Sequence, residues 1–217
     1  QGHYAACHSH EIEESFLVIE GVLVVGWQRE GKVVEVRLGP GDMILNAREI
    51  PHGFRVDDEQ PVLMSISVDV GKPLPPKYHY HPRDVSTHLA RAFGAEPGNT
   101  LPIDRNGANP LQKLMAEFVV RNEELPVLNE GAGFTRQIYV GPAPRAIAHS
   151  SCRKELWKLP PGIGTAPFTR PAEDAYLVLE GALQVGWVDS DGHEAVVELG
   201  PRDLVKTPAG QAHWVRS

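Results

Sequence analysis

The sequence predicts an all-β protein made of two copies of one unit, joined by a partly helical linker. Its first support is an internal repeat: Glu20-Gly21-Val22-Leu23-Val24-Val25-Gly26-Trp27 returns as Glu180-Gly181-Ala182-Leu183-Gln184-Val185-Gly186-Trp187. Gly2 matches Gly162 and Gly21 matches Gly181 at one offset. After one inserted residue in the turn at 189–192, Asp42 matches Asp203 and His52 matches His213. A repeat of this length marks a duplicated domain. The second support is punctuation: short apolar runs are broken by turns such as Arg29-Glu30-Gly31 and Asp189-Ser190-Asp191-Gly192. Many short strands between Gly-containing turns read as a sandwich or barrel.

In chain order, the first unit occupies residues 1–71. A strand carries His8 and His10, the repeated Val-rich run follows, and the turn Gly39-Pro40-Gly41-Asp42 leads into Met43-Ile44-Leu45. Residues 62–70 alternate Val62, Met64, Ile66, Val68 and Val70 with other side chains, a strand of period two. The linker spans 72–130. It opens on the stiff stretch Gly71-Lys72-Pro73-Leu74-Pro75-Pro76. One helix is expected at 84–93, capped by Asp84. A second is expected at 110–124, with Pro110 in its first turn and Leu111, Leu114, Met115 and Phe118 at helical spacing. The second unit, 131–217, has strand-like runs at 136–140 and 155–159 before Gly162, whereas the first repeat has only Gln1 before Gly2. The second stops four residues past His213, where the first goes on to residues 62–70. Each unit is therefore expected to lack edge strands, the first unit its opening ones and the second its closing ones.

At 217 residues the chain has room for two small cores, and 41% hydrophobic with 23% charged residues is ordinary for a globular protein. A net charge of -7 argues against nucleic acid or an anionic membrane as partner, since both need a concentrated basic face. No apolar run is long enough to span a bilayer. Two distant cysteines form no disulfide framework and fit a reducing cytoplasm, the expected location, although the sequence begins at Gln1 rather than Met.

His8, His10, Glu14 and His52 are the chemically informative residues. Three imidazoles and a carboxylate suit a borderline first-row metal ion. Residues two apart on a strand share a face, so one strand is expected to present His8, His10 and Glu14, with His52 arriving from a second strand across the barrel. Four donors on an octahedral ion leave two positions for a chelating substrate, or for substrate with dioxygen. Structural zinc prefers cysteine-rich tetrahedral sites, and neither Cys7 nor Cys152 sits in a Cys-x-x-Cys pair. The plainer alternative is a solvated strand edge beside Glu11, Glu13 and Glu14. His3 and Cys7 are read as surface and core residues, and Tyr78-His79-Tyr80-His81, which has no following Glu, as loop.

The spacing of Gly2, His8, His10, Glu14 and Gly21 resembles the first motif of the cupin family. The second motif appears as Gly41, Ala47, Glu49, His52 and Val56, of which only the first Gly and the His are retained. The resemblance covers both repeats and implies two jelly-roll barrels, a bicupin. It nominates His8, His10, Glu14 and His52 as ligands of one divalent transition metal, Fe(II) in preference to Mn, Ni, Zn, Co or Cu. The second repeat has Phe168, Arg170 and Asp174 in place of His8, His10 and Glu14, and keeps only His213. An always-charged guanidinium repels a cation, so this unit reads as a structural or homodimerisation platform; binding of a small anionic effector by Arg170 and His213 is the alternative. The family resemblance points to a dioxygenase acting on a small hydroxyaromatic or diketone-like chelating substrate, with no protein nucleophile beyond the metal ligands. A metal-dependent isomerase or lyase, and a non-catalytic binding or sensor module, use the same ligands. Phe16, Arg48, Phe54 and Met64 are expected to face the substrate, with Arg48 or Arg55 available for a carboxylate.

Overall fold

The computed structural model describes residues 4–68, 75–79, 100–148, 152–189 and 191–217. Strands dominate. They run β1 (Tyr4–Ser9), β2 (Glu14–Glu20), β3 (Leu23–Arg29), β4 (Lys32–Leu38), β5 (Met43–Asn46), β6 (His52–Arg55), β7 (Leu63–Val68), β8 (Lys77–Tyr78) and β9 (Thr100–Pro102). Helix α1 (Pro110–Glu117), β10 (Val119–Val120) and a 3-10 turn (Asn122–Glu124) follow. The chain continues through β11 (Leu128–Gly131), β12 (Phe134–Val140), β13 (Lys154–Lys158), β14 (Asp174–Leu177), β15 (Leu183–Val188), β16 (Glu194–Leu199), β17 (Leu204–Thr207) and β18 (His213–Arg216). Two compact units result: Gln1–Pro126 with Ile138–Lys154, and Val127–Gln137 with Glu155–Ser217.

In the first unit, one sheet has the order β8-β1-β6-β3-β4-β9 and the other β10-β5-β2-β7. The β3–β4 hairpin turns on Glu30 and Gly31, both at positive φ (52° and 72°), the geometry whose twist matches paired strands. Alternation then sends Leu23, Val25, Trp27, Val34, Val36 and Leu38 into a core with Phe16, Val18 and Ile44 of the other sheet. Leu111 and Met115 of α1 close the same core.

The turn at Gly39 repeats its chemistry in the second unit. Asp42 N–H donates to Gly39 O (3.0 Å) while Gly39 N–H donates to Asp42 Oδ2 (3.0 Å), with Gly41 at φ 83°. Asp203 and Gly200 make the same two bonds at 3.1 and 2.9 Å, and there Arg202 holds the positive φ (74°). Strand pairing repeats as well: Trp27 opposes His52 and Trp187 opposes His213. The second unit has sheets β16-β15-β18 and β14-β17, with a small core of Val178, Val185, Leu199 and Val215; β11-β12-β13 forms a further sheet.

Two expectations change, and others fall outside the described residues. The strands form open sheets, with no closed barrel among the described residues. The second linker helix stops at Glu117 instead of 124, because the β-branched Val119 and Val120 pair with Ile44 and Met43 of β5. Its start was only half legible: besides Pro110, Asn109 and Gln112 form a reciprocal capping box. Finally, β7 covers Leu63–Val68; residues 69 and 70, the expected helix at 84–93 and most of the Pro-rich stretch lie outside the described residues.

Candidate metal centre

His8, His10, Glu14 and His52 converge, with donor atoms all within 4.8 Å of one another. They arrive differently from the single-strand expectation. β1 ends at Ser9, and residues 10–13 turn the chain from the six-stranded sheet into the four-stranded one, so Glu14 opens β2. His52 is not across the barrel from His8. It is its cross-strand partner in the β1–β6 pair, and the carboxylate is the donor that comes from the other sheet.

The imidazole rings of His8 and His52 lie 4.7 Å apart, and those of His8 and His10 4.8 Å. His52 is 1% exposed. Its Nδ1 lies 2.8 Å from the Ile50 carbonyl, which can only accept, so Nδ1 carries a proton and Nε2 is left for the site. That Nε2 stands 3.2 Å from Glu14 Oε2. With Nδ1 carrying the proton, Nε2 and the carboxylate oxygen are two acceptors facing each other, an arrangement that a cation or a proton between them satisfies. His10 makes the sharper point: both of its ring nitrogens are buried, and neither has a hydrogen-bond partner among the described residues. Burial lowers the His10 pKa, favouring the neutral, ligating form. Burial pushes the Glu14 carboxyl up, but the His52 hydrogen bond and the His52, His10 and His8 charges outweigh it and hold Glu14 below the usual carboxylate range.

Donor set and geometry suit a first-row ion. Bonds of about 2.1 Å put adjacent donors about 3 Å apart and opposite donors about 4.2 Å apart, so a small contraction closes the set. Cys7 contributes nothing: it is buried, its Sγ contacts Gln28 Oε1 at 3.6 Å, and burial pushes its thiol up to about 12. His79 turns to Ser9 Oγ (3.0 Å), on a residue adjacent to two ligands but outside the cluster. His3, Tyr80 and His81 lie outside the described residues.

Of the residues expected to face substrate, Phe16 packs its ring 6.3 Å from His52 and 5.4 Å from Phe54, and Met64 joins the same core. Arg48 is exposed on the β5–β6 connection. Arg55 is committed elsewhere, with both NH groups on Glu35 (2.6 and 2.9 Å) and Nε on Asp57 (2.7 Å).

In the second unit, Phe168, Arg170, Asp174 and His213 also meet, with His213 Nε2 3.3 Å from Asp174 Oδ2. Phe168 bridges His213 as His8 opposes His52, with rings 4.4 Å apart. Arg170 Nε lies 3.1 Å from Asp174 Oδ2, an ion pair bent away from hydrogen-bond geometry, with the guanidinium 5.3 Å from the Phe168 ring centre. His213 Nδ1 is held by Gln211 O (2.9 Å), and Tyr176 Oη donates to its Nε2 at 2.8 Å. Tyr176 takes the place of Phe16 in the repeat, a role the sequence reading missed; a phenol where the other copy has Phe was the available signal. Another acidic group, Asp189, Asp191 and His193, sits exposed on the β15–β16 turn, where Asp189 already accepts from the Asp191 and His193 backbones.

Residues 1–71 match the model of the cupin domain. A search of the curated proteins found no match. Among solved structures, one from work on the Mn(II) centres of Bacillus subtilis oxalate decarboxylase aligns with a TM-score of 0.69 at 19% identity, covering 99% of this chain and 62% of that one. An arginine-to-alanine mutant of the same enzyme gives 0.70 at 19% identity, with the same coverage. A structure from work on the substrate binding mode of an oxalate decarboxylase gives 0.68 at 20% identity, again covering 99% and 62%. At such identities the likeness speaks for the fold alone, and the chain spans less than two thirds of those proteins. No helix among the described residues is long and apolar enough to cross a membrane.

Proposed function

We propose that the chain is a metal-dependent cupin enzyme in which His8, His10, Glu14 and His52 hold one divalent transition ion, and that its substrate is a small chelating oxyacid. One observation carries the reading: both ring nitrogens of His10 are buried without a hydrogen bond, Nε2 3.6 Å from Glu14 Oε2, the same carboxylate oxygen that stands 3.2 Å from His52 Nε2. When bound, the ion supplies Lewis acidity, polarising a substrate oxygen. The chain's own residues do the rest. Ile50 O fixes the His52 tautomer, and Phe16 and Phe54 wall the ligands with apolar surface that excludes water. Lyase-type chemistry is the favoured class, because several of the solved structures that share the fold come from work on oxalate decarboxylase, one of them on its Mn(II) centres. A dioxygenase would use the same donors. The two repeats are proposed as two jelly-roll units, the second having exchanged its ion for Arg170 and Tyr176, so one ion per chain is expected.

Elemental analysis of protein purified from its own host, with His52→Ala as control, tests the centre; absence of metal from the unmutated protein ends the proposal. Formate and carbon dioxide release from oxalate, set beside oxygen uptake with catechols, hydroxyaromatic acids and diketones, separates the classes. Oxygen uptake without decarboxylation replaces the lyase reading by the dioxygenase one.

A further inference from the structure

Asn46, the last residue of β5, is fully buried and stands directly opposite Glu14 in the β2–β5 pair. Directly opposed residues leave a sheet on the same face, so the Asn46 amide shares the interior with the Glu14 carboxylate. Its orientation is fixed. Trp27 Nε1–H, which can only donate, reaches Asn46 Oδ1 at 2.8 Å, and this leaves Nδ2 to point elsewhere. Nδ2 is buried and has no hydrogen-bond partner among the described residues, not even Glu14. Trp27 is itself the cross-strand partner of His52, so the indole and amide form a fixed pair beside the ligand set.

A buried amide nitrogen that loses its hydration without replacement marks a missing acceptor. The repeat adds a contrast. Thr207 occupies the same place opposite Asp174, and its buried Oγ1 is likewise without a partner. Where the ligand set is replaced, the long two-donor amide is replaced by a short hydroxyl.

We propose that Asn46 Nδ2 anchors an oxygen of a small carboxylate bound at the metal centre, and so selects for carboxylates. The inference rests on the metal reading of His8, His10, Glu14 and His52. The centre draws an anion by charge. Asn46 then contributes a neutral donor that adds no repulsion toward the ion and orients one carboxylate oxygen.

The test titrates oxalate into Mn(II)-loaded protein by calorimetry, and separately Mn(II) into metal-free protein, for the parent and Asn46→Leu. Leu keeps the size and removes both polar atoms. The expected result is Mn(II) affinity within about threefold of the parent and oxalate affinity lower by about tenfold or more. Because Asn46→Leu strands Trp27 Nε1 and endangers folding, Trp27→Phe and the double variant Trp27→Phe/Asn46→Leu form a second pair, for which the same tenfold difference is expected. Equal oxalate affinity within either pair overturns the anchoring role. So does a loss of Mn(II) affinity in step with that of oxalate, which would make Asn46 a prop for the ligands. A parent that takes up no Mn(II) overturns the metal reading itself, and the anchoring role with it; a Mn(II)-loaded parent that binds no oxalate overturns the anchoring role and leaves the metal centre standing.

Discussion

Replacing Lys154 by Met should stabilise the protein below pH 8 and destabilise it near pH 10. Lys154 opens β13, and its Nζ donates to Ser15 Oγ (2.6 Å) and Ser67 Oγ (3.0 Å) on β2 and β7. Burial pulls the ammonium pKa from 10.5 down to about 8. A shift of about 2.5 units at 1.36 kcal/mol each makes the buried charge cost about 3 kcal/mol. Met removes that cost and also the two hydrogen bonds, worth about 1 kcal/mol each, so a net gain of about 1 kcal/mol is expected at pH 7. The pH dependence has a definite sign. Below pH 8 both folded and unfolded states carry the proton, and the parent bears the full penalty. Between pH 8 and 10.5 the unfolded chain keeps the proton longer than the folded one, so parental stability rises with pH, while the Met variant lacks this contribution. By pH 10 the penalty should have fallen to about 1 kcal/mol, and the parent, its two hydrogen bonds retained, should be the more stable by about 1 kcal/mol. Urea denaturation of both proteins at pH 7, 8, 9 and 10 measures this crossing. Parallel profiles with a constant difference would refute the reasoning.

Other outcomes follow from the same structure. His52→Ala should lower affinity for Mn(II) or Fe(II) by more than about 100-fold, the upper range for losing a mere supporting contact, as read by competition with a chromophoric chelator. The combined variant Phe168→His, Arg170→His, Asp174→Glu, Tyr176→Phe should raise the metal content from one ion per chain to two, because it restores four donors and removes the guanidinium and phenol that replace the ion; a stoichiometry still at one would show that the second frame cannot hold a metal. Gly186→Ala should destabilise by about 1–3 kcal/mol, since a Cβ there collides with the Trp214 ring across β15–β18. Its denaturation midpoint should fall without a change in slope.

How much of this was legible in the sequence differs by residue. The repeat, the Gly39-to-Asp42 turn and the four converging donors could be read, because each depends on local chemistry at fixed spacing. The path of the donors could not. Parity alone placed His8, His10 and Glu14 on one strand, but Glu11-Ile12-Glu13 bends the chain between sheets, and no periodicity signals such a bend. Val119 and Val120 looked like a continuing helix until tertiary pairing with β5 claimed them. Asn46 was invisible for another reason: its role depends on Trp27 Nε1, 19 residues away, which only the fold brings within reach, and although Tyr176 stands out against Phe16, its partner His213 Nε2, 37 residues away, does not.

The placement of Glu14 on one sheet and of His52 on the other has a consequence for the life of the protein in the cell. An ion held by both would be a clasp across the two sheets of the first unit, at donors that only the folded arrangement brings together. At a free concentration about a hundred times its dissociation constant, such an ion adds about 2.7 kcal/mol to the resistance of that unit to opening. Chains that miss their ion would open far more often and be removed first by proteolysis. Metal supply would then set abundance as well as activity, and the degraded fraction would be the fraction unable to work.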